Sequence, residues 1–276
     1  MADTTSTTIT TLLPSLVGPA VEAFEQESNL RDLVTVYRMD NGTLTVPTLG
    51  TFTPVAVSEG DLPGPGEAYT PGSATLTSAK YRVTTTLTDQ AVNRALRAGN
   101  FDLVEAVGRA AGRALSVKID KLIAALFSGF STGSGSGSGS TMSYTYFGLG
   151  YSNLQSNAAP APYAMVLHPL SMVYLMIDMK YTAPAMGRSD GENKTPLYDL
   201  NIAGVSCRTS PNLTVSSSAA YGAIFAKEAI ALGIENEPHI ELERIQDTGY
   251  LLTASVECGV IEVKDLGGYY FNVKAA

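Results

Sequence analysis

The residues with the clearest chemical potential are Gly129-Phe130-Ser131-Thr132-Gly133, a match to the G-x-S-x-G pattern of a serine nucleophile. Asp178 and His239 follow in the chain order of an α/β-hydrolase triad. That chemistry needs a strand before the serine and a helix after it, so that a strained turn exposes the hydroxyl. It also needs fixed N–H groups to hold the oxyanion. Here a helical pattern precedes Ser131 and a Gly/Ser tract follows, which reads as a helix end running into a linker.

Other candidate chemistries are weaker. Glu241, Glu243, Glu257 and Glu262 lie on strand-like stretches; a glycosidase needs two carboxylates across a cleft, and solvated strand faces or subunit salt bridges explain these better. The glycine-rich stretches at 59–72 and 133–139 lack the Lys-Ser/Thr and helix start of a phosphate loop. Cys207 and Cys258 are too few for a disulfide framework or a four-cysteine zinc site and read as buried thiols of a reducing compartment. With only His168 and His239, a histidine-rich metal centre is excluded. Met165, Met172, Met176, Met179 and Met186 fit a helical core face better than an adaptable binding face. No catalytic residue, metal or cofactor is expected.

Composition agrees. Of 276 residues, 45% are hydrophobic and 16% charged, with a net charge of −8. A core of one large or two modest domains is expected. Broad phosphate neutralisation is not. No apolar run approaches the roughly 20 residues of a membrane-spanning helix. No Lys or Arg precedes Arg31, so export by a secretory signal is not expected, and the chain reads as cytosolic when made.

The elements follow from periodicity. Residues 1–10 are polar and Thr-rich. Leu13, Val17, Val21 and Phe24 then recur at helical spacing, interrupted by Pro14 and Pro19, so a short helix on an arm is expected. Residues 43–87 read as one long β-hairpin with a tip at Pro63-Gly64-Pro65-Gly66. On its return strand Ala79, Tyr81, Val83, Thr85 and Leu87 share one face, and Lys80 and Arg82 lie on the other. Those two cations are either edge charges or contacts to an acidic neighbour. A short helix is expected from Thr88 or Asp89 to Gly99. Residues 101–128 carry Val104, Val107, Ala111, Leu115, Ile119, Leu122 and Leu126 at helical spacing, giving a strut of about 42 Å. Gly108 and Gly112 on it allow close backbone approach.

Residues 131–140 read as a flexible connector, 143–157 as a weak helix spoiled by Gly148 and Gly150, 163–167 as a buried strand and 170–180 as a helix. A strand and turn follow around 202–207. Separate strands are expected at 239–246 and 249–264, the second with a bulge at Gly259 where the apolar phase flips. The class is α+β, without a βαβ rhythm.

This order of parts resembles the major capsid proteins of tailed phages, those with the Hong Kong 97-type fold, over about residues 10–274. The segment GAIFAKEAIALGI (222–234), then HIELERIQ (239–246) and YLLTASVECGVIEV (250–263), is the most specific part of the likeness. The resemblance implies an N-arm at 1–38, an E-loop hairpin at 39–88, a P-domain with its spine helix at 89–130, an A-domain at 131–237 and closing strands at 238–276. It further implies self-assembly into pentamers and hexamers of an icosahedral head that encloses double-stranded DNA without reading its sequence. Portal, scaffolding and decoration proteins would be partners, assembly would occur in the host cytoplasm, and no membrane is involved. Inter-subunit contacts would fall on Leu13, Val17 and Phe24 of the arm, on Pro63, Gly64, Pro65 and Gly66 of the tip, and on Lys80 and Arg82. Part of the family crosslinks through an E-loop lysine; residues 40–79 contain none, so no such crosslink is expected. A separate scaffolding protein, or none, is expected. Two alternatives stand beside this reading: an encapsulin-type nanocompartment shell and, in another class, a serine hydrolase using Ser131.

Overall fold

A computed structural model describes residues 30–48, 72–90, 102–182, 199–245 and 249–276. The expected arm helix with Leu13, Val17 and Phe24, the tip at Pro63–Gly66, the short helix ending at Gly99, and Met186 lie outside the described residues. The strut is present as α1 (Asp102–Leu126), which tightens into a 3-10 turn at Phe127–Gly129. Two further helices are α2 (Tyr144–Ser156) and α3 (Pro169–Thr182). The early strands are β1 (Thr35–Arg38), β2 (Thr43–Thr48), β3 (Gly72–Thr77) and β4 (Ala79–Thr88). Later come β5 (Gly133–Ser134), β6 (Tyr163–Leu167), β7 (Asp199–Ile202), β8 (Val205–Thr209) and β9 (Val215–Ser216). The last are β10 (Ala219–Ala226), β11 (Ile230–Ile245), β12 (Gly249–Glu262) and β13 (Gly268–Lys274).

They form three sheets. A four-stranded sheet runs β1-β11-β12-β4, and a seven-stranded sheet runs β5-β13-β10-β6-β8-β7 with β9 attached to β10. The third is the two-stranded ribbon β2-β3. The main core lies where α1 crosses the sheets. Leu115, Ile119, Ile123 and Phe127 meet Leu232, Leu252 and Val256 of the four-stranded sheet and Val166 and Phe225 of the seven-stranded one. Phe127 and Phe225 pack with ring centroids 5.5 Å apart. A second core covers the other face of the large sheet, with Phe147 and Leu154 of α2 and Met172 and Leu175 of α3 against Met165, Ile224 and Phe271. The methionines at 165 and 172 are fully buried, and 176 and 179 pack beside them, as a core face requires.

Four local expectations are corrected. First, 43–87 is not one hairpin. β2 and β3 pair from Thr43↔Thr77 to Thr48↔Gly72, but beyond Ser78 the chain leaves β2 and pairs with β12, from Ala79↔Cys258 to Thr88↔Gly249. The apolar face explains the switch, since Tyr81 and Val83 pack against the main core and Leu87 against Tyr250.

Second, the Gly/Ser tract is integrated into the large sheet. β5 pairs in parallel with β13, Tyr270 donates its N–H to the Thr132 carbonyl, and Lys274 donates to that of Ser140. Two of its glycines are steric necessities here. A Cβ at Gly133 would lie 2.4 Å from the Tyr270 ring, and one at Gly135 (φ +97°) 2.1 Å from the Asn272 carbonyl oxygen. A sequence with no side chains to bury reads as flexible, yet small residues are what this edge admits.

Third, 230–245 is a single strand, and the register shifts sit in β11, on either side of Asn236. Pro238 occupies the second irregularity, a place where a missing donor is tolerated. Gly259 lies in continuous register opposite Gly233. The apolar phase flips because Ile261 and Val263 turn toward a third small core with Met39 and Leu76, on the opposite face from Val256 and Cys258. Fourth, Gly150 does not weaken α2. It seats α2 on the sheet, where a Cβ would lie 2.7 Å from Ile224 and 2.9 Å from Phe271. Ser143 caps the helix by accepting from the Tyr146 N–H.

Candidate functional site

The three residues of the triad pattern do not form one. The Ser131 backbone N–H donates to Asp265 at 2.7 Å, Asp178 accepts from the Tyr144 N–H at 2.6 Å, and His239 Nε2 lies 3.3 Å from Ser255 Oγ and 3.5 Å from Glu241. Ser131 stands between a 3-10 turn and a strand, the reverse of a nucleophile elbow. Both cysteines are free and buried, and burial pushes their thiols up to about 12 for Cys207 and about 11 for Cys258. Neither is a nucleophile at neutral pH. Among the described residues no group of three or more His, Cys, Asp or Glu could hold a metal ion. No described helix is long and apolar enough to cross a membrane.

The strand carboxylates divide. Glu241 and Glu243 are exposed, as expected. Glu257 is held below the ordinary glutamate range by hydrogen bonding from Asn236, with Lys80 assisting from 3.3 Å. Lys80 and Arg82 therefore sit on β4 within the four-stranded sheet rather than on the hairpin, and Lys80 already has a partner in its own chain. Glu262 departs from the solvated reading. Burial, and then the neighbouring Asp265, raise its carboxyl to about 7. Burial pulls Asp265 upward as well, but hydrogen bonds from the Ser131 side chain and N–H and from Glu262 outweigh that and leave it below its ordinary value. The pair pins the start of the Gly/Ser tract to the turn after β12.

The most constructed region is the root of the β2-β3 ribbon. Gly233 and Gly259 face each other on β11 and β12. A Cβ at Gly233 would lie 2.2 Å from both Leu76 Cδ2 and Met39 Sδ, and one at Gly259 2.0 Å from the Thr77 carbonyl oxygen. This glycine saddle lets the ribbon lie directly on the sheet, burying Met39 and Leu76. The Met39 N–H donates to the Ile234 carbonyl at 2.9 Å, and the Ser78 N–H to that of Gly42 at 2.8 Å. Glu235, at the first register shift of β11, accepts from the Gly42 N–H at 3.1 Å and from the Ser78 hydroxyl. Beside the root a cleft of about 410 Å³ opens between Tyr37, Val46 and Pro47 on one side and Pro160, Pro162 and Lys264 on the other. Neither Glu235 nor Gly233 was singled out by sequence reasoning, and Gly259 was read only as a bulge. Glu235 stands between Ile234 and Asn236, a context that marks no site in the sequence.

The entry of the chain is also anchored. Asp120, fully buried on α1, accepts from the Leu30 N–H at 3.3 Å and from Asn212 at 3.1 Å. Arg31 pairs with Glu237 at 2.9 Å. These contacts hold residue 30 against the strut and residue 31 against β11.

A family model described as phage capsid protein matches residues 72–265. No curated protein matches. Among solved structures, a chain of the capsid of cyanophage P-SCSP1u superposes with a TM-score of 0.68 at 15% identity, covering 90% of this chain and 89% of that one. A Mycobacterium phage Che8 chain gives 0.64 at 18% identity, covering 84% and 85%. A virus-like particle from Pyrococcus furiosus gives 0.62 at 11% identity, covering 94% and 98%. At these identities the likeness to the solved structures is one of fold.

Proposed function

The chain belongs to the phage capsid protein family, has the Hong Kong 97-type fold and serves as a structural major capsid protein of the virion; from that premise we propose how it builds the shell. Copies associate as pentamers and hexamers of an icosahedral head around double-stranded DNA. The ribbon rooted at Gly233 and Gly259 is the E-loop, and it reaches a neighbouring copy through the tip at Pro63–Gly66. The segment before Leu30, with Leu13, Val17 and Phe24, is the N-arm and lies on another copy. Lys80 and Arg82 contribute charge at the subunit boundary. Residues 89–130 with 238–276 act as the P-domain and 131–237 as the A-domain. A portal and a scaffolding protein are the expected partners, assembly takes place in the host cytoplasm, and no enzymatic step is assigned to the chain.

The observation that supports this reading best is the β2-β3 ribbon. It pairs with neither larger sheet, and Thr43, Thr45, Ser73 and Thr75 are exposed along it. A two-stranded ribbon is marginal in water and gains stability from a partner surface. The test is size-exclusion chromatography with light scattering on the purified chain, followed by electron microscopy of the peak. Megadalton rings or closed shells are the expected result. A monomer under every salt and scaffold condition would overturn the assembly reading.

A further inference from the structure

We propose that Glu235 is a positioning residue, a carboxylate latch that sets the angle of the β2-β3 ribbon on the four-stranded sheet. The consequence for shell geometry rests on the assembly reading above; the latch itself does not.

The chain changes partners at two places as it enters and leaves the ribbon. On the way in it leaves β1 and turns at Gly42 (φ +71°). On the way out it stops pairing with β2 at Thr77 and starts pairing with β12 at Ala79, so Ser78 is the pivot. One backbone hydrogen bond, from the Ser78 N–H to the Gly42 carbonyl, joins these two points. The Glu235 carboxylate closes the ring by taking the Gly42 N–H on one oxygen and the Ser78 hydroxyl on the other. The register explains how it gets there. Ile234 pairs with Cys258 and Asn236 with Glu257, so Glu235 is the extra residue of a bulge, and a bulge re-aims the side chain it carries. The sheet under the pivot is smooth, because Gly233 and Gly259 carry no side chain. Apolar packing of Met39 and Leu76 holds the ribbon down but is non-directional. Hydrogen bonds from two donors to one carboxylate are directional, and they are the strong kind.

Hydrogen exchange with mass spectrometry on the unassembled subunit tests the latch, using wild type, Glu235→Gln, Glu235→Ala and Ser78→Ala. Losing the bonds to a charged acceptor is expected to raise exchange of amides 42–48 and 72–78 in Glu235→Ala by roughly tenfold. Protection of β11 and β12 beyond residue 250 should be retained. Glu235→Gln, which keeps one acceptor, and Ser78→Ala, which removes one donor, should fall between. Shells grown from Glu235→Ala should then show a broader diameter distribution than wild type. Unchanged exchange in both Glu235→Ala and Ser78→Ala would overturn the latch. Raised exchange with shells of wild-type diameter would overturn its role in setting geometry. Failure of wild type itself to assemble would count against the assembly reading alone. If Glu235→Ala does not fold, Ser78→Ala carries the test, because it leaves the carboxylate and the glycine saddle in place.

Discussion

Glu262 and Asp265 are two carboxyls of one turn with opposite shifts. Glu262 is raised to about 7, chiefly by burial. Its protonated form therefore suits the fold, and its contribution is present below the ordinary glutamate range and lost as pH rises through about 7. Asp265 is lowered, so its contribution is present at neutral pH and lost only on acidification below the ordinary aspartate range. Glu262→Gln keeps a donor for Asp265 and removes the titration. Its denaturation midpoint is expected to stay flat between pH 5 and 8, where that of wild type falls. An unchanged slope in the variant would refute this assignment. Gly135 is the complementary steric case. Its φ of +97° and the Asn272 oxygen at 2.1 Å leave no room for a methyl group. Gly135→Ala is expected to cost about 1–3 kcal/mol, read by urea denaturation of the subunit.

For the elements, the contrast lies between α1 and the Gly/Ser tract. The α1 stripe was legible because burial of Ala111, Leu115 and Ile119 repeats with the helical period. The tract carries no such pattern, and its order comes from fitting beneath Tyr270 and against Asn272. It follows that residues 131–140 should resist limited proteolysis as well as α1 does, whereas a flexible linker would be nicked first. Rapid cleavage there would contradict the parallel β5-β13 pairing. Truncating Ile119 to Ala on the fully buried face of α1 is expected to cost about 2–5 kcal/mol. Thermal unfolding of the subunit measures it, with Lys121→Ala on the exposed face as a near-neutral control.

Across the described residues, the ribbon root, the anchored entry at Leu30 and the cores make one body. Shell formation is the outcome expected of such a body, and its bonds should be non-covalent. Residues 40–79 contain no lysine, and the next one, Lys80, lies on β4 and is paired with Glu257 at 3.3 Å. Boiled shells should therefore run as a single monomer band on denaturing gels. A ladder of higher bands would show a covalent crosslink and refute this.

Periodicity, composition and order of elements determine a good deal by themselves. The strut, the buried strand at 163–167, the methionine core face and the lack of a workable triad around Ser131 all follow from local patterns that tertiary packing has no reason to override. Order of elements was enough to point to the fold family. Other features were illegible because they depend on what lies across a contact. A chain reads Gly259 as a bulge, and leaves Gly233 unmarked, until β3 is laid over them. It gives Glu235 no mark until a register shift turns it toward Gly42 and Ser78. It reads 79–88 as half of a hairpin until β12 offers that apolar face a core. Side-chain pattern records which face is buried, but partner and register belong to non-local pairing, and no single segment encodes them.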